Sequence, residues 1–324
     1  MPHDPTNDGR RPPSPTGASS RKAASYAVLV NGDAGSAQAS KGELDAIEES
    51  FARLGAQAIA SAVDPGDLAD AMRTAWQRGV IAVVVAGGDG TVSSAAACAV
   101  AHDIVLGVLP MGTFNHFAKD LGAPTGDLDA AVAWLVGADE VAVDVGEVNG
   151  RVFVNNASIG AYPVMVTTRE SIRAQRGWGK VRATAVAATR TLRHLPVQRL
   201  RITIEPSASR EVDTALLFVG NGLFDRDGAE VGRRSSLEGG VLGIYLIQAS
   251  RRWRLVLNAI ATRVGGLDRA PSTDRISARR LVVASREATL TVAIDGEPTD
   301  VESPLEFVSR PRRLRVLRGV TAVR

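Results

Sequence analysis

Residues whose types and spacing point to chemistry cluster in two glycine-rich turns. Ala82 to Gly87 is an apolar run that leads into Gly87-Gly88-Asp89-Gly90-Thr91, a turn carrying one carboxylate. Twenty residues on, a second apolar run ends in Leu109-Pro110-Met111-Gly112-Thr113-Phe114-Asn115. Turns built of small residues let backbone N–H groups approach phosphate oxygens without side-chain obstruction. Asp89 then falls where a magnesium-bound triphosphate or a reacting hydroxyl would lie. A third loop, Asn31-Gly32-Asp33-Ala34-Gly35-Ser36, also follows an apolar strand. In a parallel sheet all three turns face one carboxyl edge, where open α/β folds bind ligands. Neither a Walker A loop nor the G-x-G-x-x-G dinucleotide pattern is present, so the standard phosphate loops do not apply.

The elements that must position these turns follow from periodicity. Tyr26–Val30, Gln57–Val63, Val80–Ala86 and Ile104–Leu109 read as strands. The β-branched run of the third suits a strand buried on both faces. Leu44, Ile47, Phe51 and Leu54 recur at helical spacing, as do Leu68, Met72 and Trp76. Asp64-Pro65 reads as an N-cap followed by proline at the first helical position. Further helices are expected over Val92–Ala101, Phe114–Leu121 and Leu128–Val136. Alternating strands and helices define an α/β domain.

Beyond about residue 140 the texture changes to short strands separated by turn signals, which predicts an antiparallel sandwich. These strands are Val141–Val145, Arg151–Val154, Leu200–Ile204, Ala215–Val219, Val241–Ile247, Arg280–Ala284 and Ala288–Ile294. Two helical interruptions are expected, near 166–194 and 253–264. The expected organisation is a disordered tail over 1–24, a nucleotide-binding domain over 25–146 and a β-rich substrate domain over 147–305. A segment over 306–324 completes the chain.

Composition narrows the class. The chain has 324 residues, 45% hydrophobic and 23% charged, with a formal charge of only +3. That charge gives no strong field for nucleic acid. The single cysteine, Cys98, excludes an internal disulfide, and its alanine-rich surroundings predict a small buried hydrophobe. The first 22 residues hold five prolines and no apolar h-region, and no stretch is apolar enough to span a membrane. The expectation is a cytoplasmic protein. Residues 169–201 carry nine Arg or Lys against one acid, with Trp178 among them, and Arg251-Arg252-Trp253-Arg254 repeats the mixture. Such a surface suits peripheral contact with an anionic membrane, or is a solvated arginine-rich face. Nucleic acid is not expected, because the patch lacks the interleaved aromatics of single-strand binders. Oligomeric state stays open, a homodimer included.

Taken together, Gly87-Gly88-Asp89-Gly90-Thr91, the turn Leu109–Asn115 and Asp295-Gly296-Glu297 resemble the diacylglycerol kinase catalytic-domain family of bacterial lipid kinases, with sphingosine kinases and NAD kinases as relatives. The resemblance spans roughly residues 25–320. It implies an NAD-kinase-like three-layer α/β domain and a β-sandwich lipid domain, with ATP-dependent phosphorylation of a lipid hydroxyl at their junction. It also implies that the final segment, around Leu314–Leu317, returns to the first domain.

Carried over residue by residue, the resemblance places Asn31, Gly87, Gly88, Gly90, Thr91, Gly112, Thr113 and Asn115 around ATP. It places Asp89 and Asp144 in a Mg²⁺ network. Asp295 becomes the general base on the acceptor hydroxyl, with Glu297 beside it. The carboxylates at 89, 144 and 295 would then meet in one crevice. Read from the residues alone, Asp295-Gly296 is equally a hairpin turn, and Asp144 a solvent-facing strand residue.

Three positions depart from the family pattern: His116 and Ser94 replace acids, and Glu238-Gly239-Gly240-Val241-Leu242-Gly243 matches a metal-associated stretch only loosely. The last puts a second, structural metal site in doubt. Two alternatives follow. One is a soluble-substrate kinase of the NAD kinase type, against which Val154-Asn155-Asn156-Ala157 lacks the expected Asn-Glu pair. The other is a degenerate member that binds nucleotide or lipid without turnover. Ile159, Tyr162, Val164 and Met165 are candidates either for a lipid pocket or for ordinary core.

Overall fold

In the computed structural model, the described residues are 25–31, 41–160, 197–224, 234, 236–248 and 273–319. The N-terminal elements are β1 (Ser25–Asn31), α1 (Lys41–Arg53), β2 (Gln57–Val63), α2 (Leu68–Gln77), β3 (Ala82–Gly87), α3 (Asp89–His102), β4 (Leu106–Pro110), α4 (His116–Leu121) and α5 (Leu128–Val136). The strands that follow are β5 (Asp139–Val148), β6 (Arg151–Phe153), β7 (Asn156–Gly160), β8 (Gln198–Ile204), β9 (Arg210–Asn221) and β10 (Leu242–Gln248). The last are β11 (Thr273–Ala278), β12 (Arg280–Ala284), β13 (Thr289–Ile294), β14 (Glu297–Glu302) and β15 (Leu305–Arg318).

The first half is an α/β domain whose strands run parallel in the order β4-β3-β1-β2. Central strand β3 is buried at every position, matching its run of three valines flanked by small residues. The second half is an antiparallel β structure around a separate apolar core that includes Ile202, Leu217, Ile244, Val292 and Phe307.

Strand β15 belongs to both halves. Leu305 and Phe307 lie in the second core, whereas Leu314, Val316 and Leu317 lie in the first. The strand pairs with β12 near its start and contacts β4 in parallel at Val316. Between these ends its register against β5 shifts between Arg310 and Leu314, where Arg312 takes a positive φ of 52°. Such a bulge bends and twists a strand, so one strand crosses from one core to the other. Strand β5 does the same, with Val143 and Val145 in the first core and Val148 in the second.

Two local expectations are corrected. Helix α2 starts at Leu68, not at Pro65: Asp64 and Pro65 open a turn closed by Asp67 N–H donating to the Asp64 carbonyl. Strands β7, β11, β14 and β15 are additional to those read from the sequence. In β14 the polar content of Glu297-Pro298-Thr299-Asp300 hides the period-2 pattern. The N-terminal tail and the helical interruptions expected near 166–194 and 253–264 lie outside the described residues. Cys98 is buried, and burial pushes its thiol pKa up. No helix among the described residues is long and apolar enough to cross a membrane.

Candidate active site

Parallel pairing sets Val30 opposite Ala86 and Gly87 opposite Pro110, so the ends of β1, β3 and β4 lie side by side. The two glycine turns then pack directly on each other. A Cβ built at Gly112 would stand 2.5 Å from the Gly88 Cα, closer than any side chain tolerates. Met111 N–H donates to the Gly87 carbonyl at 3.0 Å. Asn115 staples its own turn: its Oδ1 accepts from Gly112 N–H at 2.9 Å and its Nδ2 donates to the Gly112 carbonyl at 2.7 Å. It adopts φ 52°, in the left-handed region that asparagine tolerates. Thr91 is also turned inward, its Oγ1 accepting from Asn31 Nδ2 at 2.6 Å. Asn31 Oδ1 is buried and has no partner among the described residues. Thr113 and Phe114 are exposed at the tip of the second turn.

Asp89 opens α3 and reaches across to α4. Its Oδ2 accepts from Asn115 N–H at 3.0 Å and its Oδ1 from His116 N–H at 2.7 Å. A carboxylate here satisfies two amides at a helix start, which have no partner within their own helix. The His116 ring stacks on Phe114 at 5.7 Å between centroids. Beside the second turn lies a cavity of about 510 Å³, lined among others by Pro110, Met111, Thr113, Lys119, Thr125 and Leu128. Neither Asp89 nor Asp295 lines it.

Asp295 arrives from the other half of the molecule. With Gly296 it forms the two-residue turn between β13 and β14, at φ 47° and 93°. Two consecutive positive φ values make a type I′ hairpin, which explains the Asp-Gly pair. The hairpin reading of Asp295-Gly296 therefore holds, and it leaves the Asp295 side chain available for contacts outside the turn. Asp295 Oδ1 accepts from Asn155 N–H at 2.8 Å and Asn156 N–H at 2.9 Å. Its Oδ2 accepts from Val154 N–H at 2.9 Å and from the Ser93 hydroxyl at 2.7 Å. Burial pushes the Asp295 carboxyl above the usual aspartate range, and these four donors oppose the shift. Ser93 lies one helical turn after Asp89 on α3, so the hairpin tip sits against the helix that begins at the first glycine turn. Glu297 follows: its Oε1 is 3.1 Å from where a Gly90 Cβ would stand.

Ser93 was not picked out from the sequence. A serine in an alanine-rich helix gives no signal of its own, and only the fold sets it against Asp295.

Asp144 requires correction. It is buried, not solvent-facing, and its carboxylate accepts from Gly240 N–H and from Arg312 N–H at 2.8 Å. It ties β5 to the loop before β10 and to the β15 bulge. Among the described residues no group of three or more His, Cys, Asp or Glu side chains is placed to hold a metal. Glu238 pairs instead with Arg318 at 3.0 Å. Asp89 and Asp144 accept from backbone amides of separate segments, and no hydrogen bond among the described residues links the two. Asp295 and Glu297 converge with Asp89 on the first turns of α3; among the described residues no hydrogen bond joins Asp144 to them.

Of the apolar candidates, Ile159 is ordinary core of the sandwich, and Tyr162, Val164 and Met165 lie outside the described residues. So do most of the basic residues of 169–201 and all of Arg251–Arg254. The two that are described, Arg199 and Arg201, form exposed ion pairs with Asp213 and Glu211.

A parallel α/β half with paired glycine turns, joined to an antiparallel sandwich that returns an Asp-Gly hairpin to them, defines a two-domain kinase fold. Residues 25–148 match the diacylglycerol kinase catalytic domain and residues 165–318 the YegS C-terminal NAD kinase beta sandwich-like domain. A probable lipid kinase YegS-like protein of Pseudomonas syringae pv. tomato is 31% identical over 257 residues, covering 78% of this chain and 81% of that relative. The lipid kinase YegS of Escherichia coli is 32% identical over 122 residues, so this chain matches only 40% of that relative's length and 36% of its own. A diacylglycerol kinase structure from Bacillus anthracis superposes with TM-score 0.65 at 18% identity, covering 93% of this chain and 99% of that one. At that identity the likeness establishes the fold alone. The chain belongs to the YegS-like lipid kinase family.

Proposed function

We propose that this protein is an ATP-dependent lipid kinase that transfers the γ-phosphate to a hydroxyl of diacylglycerol or a related lipid. One observation carries the reading: the Asp295 carboxylate of the sandwich hairpin meets Ser93, one turn into the helix that starts at the first glycine turn.

Phosphoryl transfer asks the protein mainly to position two oxygens and stabilise charge. Helix α3 spans 14 residues and begins at Asp89, with Val92 N–H donating to the Gly88 carbonyl. The amides of Asp89, Gly90 and Thr91 precede that first bond, and such amides favour phosphate oxygens. The Gly88–Gly112 contact keeps side chains out of that approach. Asn31 and Thr91, hydrogen-bonded to each other, hold the first strand end against it.

The acceptor hydroxyl oxygen then attacks the γ-phosphorus as the bond to the ADP oxygen breaks, and its proton passes to Asp295. Three of the four donors on that carboxylate are backbone amides held by the turn. The Ser93 hydroxyl is the one side-chain donor among the four, and in this reading the acceptor hydroxyl takes its place on Asp295 Oδ2. Magnesium enters with the nucleotide as part of the substrate. A lipid acceptor also requires contact with a membrane surface, consistent with the basic segments of the sequence.

The test is incubation with γ-labelled ATP, diacylglycerol in mixed micelles and, in parallel, NAD. Label in the lipid supports the proposal. Label in NAD alone, or in neither acceptor, overturns it.

A further inference from the structure

We propose that the buried Arg234–Asp120 ion pair positions the Asp295 carboxylate, and that it does so by fixing the backbone turn Val154–Asn156 relative to helix α4. The proposal rests on the reading of Asp295 given above.

The pair is almost entirely enclosed, at 1% and 5% side-chain exposure. Arg234 Nε donates to Asp120 Oδ2 at 2.7 Å, and its backbone N–H reaches Asp120 Oδ1 at 3.3 Å. Nη2 of the guanidinium joins Nε on Asp120 Oδ2 at 2.6 Å, and the remaining contacts run the other way. One terminal nitrogen donates to the Val154 carbonyl and, at 3.0 Å, to the Asn221 carbonyl; the other reaches Asn155 Oδ1 at 3.5 Å. Asn221 Nδ2 adds a bond of 3.1 Å to the same Val154 carbonyl. The guanidinium also lies 6.0 Å from the centre of the Phe117 ring on α4.

These contacts close a ring. Asp89 holds the N-terminal end of α4 through Asn115 and His116, and Asp120 lies at the other end of that short helix. Asp120 holds Arg234, and Arg234 holds Val154 and Asn155 by their acceptor groups. The donor sides of those residues, with Asn156, hold Asp295, and Asp295 holds Ser93 on the helix that Asp89 begins. The Val154–Asn155 peptide is therefore gripped from both sides, its carbonyl by the guanidinium and its N–H by the Asp295 carboxylate. A buried charge pair is poor evidence for stability as such, because desolvation offsets much of its attraction. Its forked geometry is what lets one residue serve the carboxylate and the turn together.

Lysine keeps the charge but lacks the fork, so Arg234→Lys separates charge from geometry. Asp120→Asn is the milder companion, since it retains an oxygen acceptor. For either variant we expect kcat to fall about 10- to 100-fold, the penalty of misplacing a reacting group by about an ångström. KM for ATP should stay within about twofold, because the glycine turns are untouched. Hydrogen exchange supplies a readout independent of turnover. The amides of Val154, Asn155 and Asn156 should exchange about tenfold faster while those of Val83–Val85 keep their protection.

Unchanged exchange at 154–156 in a folded variant overturns the inference. Accelerated exchange at Val83–Val85 as well, with kcat and KM worsening together, overturns it in favour of a merely structural role. Should Asp295→Asn retain full turnover, the proposed base fails, whereas the exchange result still decides whether Arg234 orders the turn. Should Asp295→Asn be inactive while Arg234→Lys keeps wild-type kcat and protection, only the positioning inference falls.

Discussion

Ser93 and Asp295 lie 202 residues apart in sequence, yet the serine hydroxyl donates to the aspartate carboxylate at 2.7 Å. The bond joins a helix of the parallel domain to a hairpin of the sandwich, and the proposed chemistry is centred on it.

Asp295→Asn should lower lipid phosphorylation about 10²- to 10⁴-fold, the usual range for a general base. Steady-state rates with labelled ATP measure it, with KM for ATP showing that the nucleotide site survives.

Ser93→Ala should lower kcat about 10- to 100-fold, as expected for losing a hydrogen bond to a charged group. The Ser93 hydroxyl lowers the Asp295 pKa, so its removal shifts the acid limb of the kcat profile to higher pH. A limb that stays in place would detach Ser93 from the titrating group.

The wild-type profile has a definite sign. Burial raises the Asp295 pKa, and a base acts only when ionised, so activity falls with acidity through a value above the ordinary aspartate range. Stability runs the opposite way. A raised folded-state pKa contributes stability that is fully present below the unfolded value and lost as pH rises through the folded one. Denaturant titrations across that interval should show this loss in the wild type and not in Asp295→Asn.

Gly112→Ala places a methyl 2.5 Å from the Gly88 Cα. Relief requires backbone movement at both turns, a cost of about 1–3 kcal/mol. The variant should melt lower and bind ATP more weakly, measured by thermal unfolding and by KM for ATP.

Asp144→Ala should act on stability and leave the magnesium requirement alone. It removes the acceptor for Gly240 N–H and Arg312 N–H, costing about 1–3 kcal/mol. Chemical denaturation measures the loss. A changed Mg²⁺ dependence of the remaining activity would return Asp144 to the metal network.

Much of the architecture was legible because it is written in local periodicity. The β-branched run of β3, the stripe Leu68–Met72–Trp76 and the glycine turns each declare themselves within ten residues. The Asp295-Gly296 turn was one of two readings open in the sequence, and its two positive φ values are ones that only a few residue pairs accept. What a side chain does once there was less visible. The resemblance places Asn115 and Thr91 around ATP, but nothing in the sequence says that Asn115 closes its own turn on Gly112 or that Thr91 accepts from Asn31. Arg234 carries no signal in the sequence, and its enclosure depends on Asp120, Val154 and Asn221 meeting around it.

The sequence by itself determined the two-part α/β and β-sandwich design, the glycine turns at one sheet edge, and the Asp-Gly hairpin, because backbone preference and hydrophobic period act over short range. Only the tertiary structure decided which carboxylates come close to one another. That outcome depends on β5 and β15 each crossing from one core to the other and on the bulge at Arg312. These pairings bring Asp295 to Ser93 and commit Asp144 to backbone amides elsewhere, through contacts between residues more than ninety positions apart.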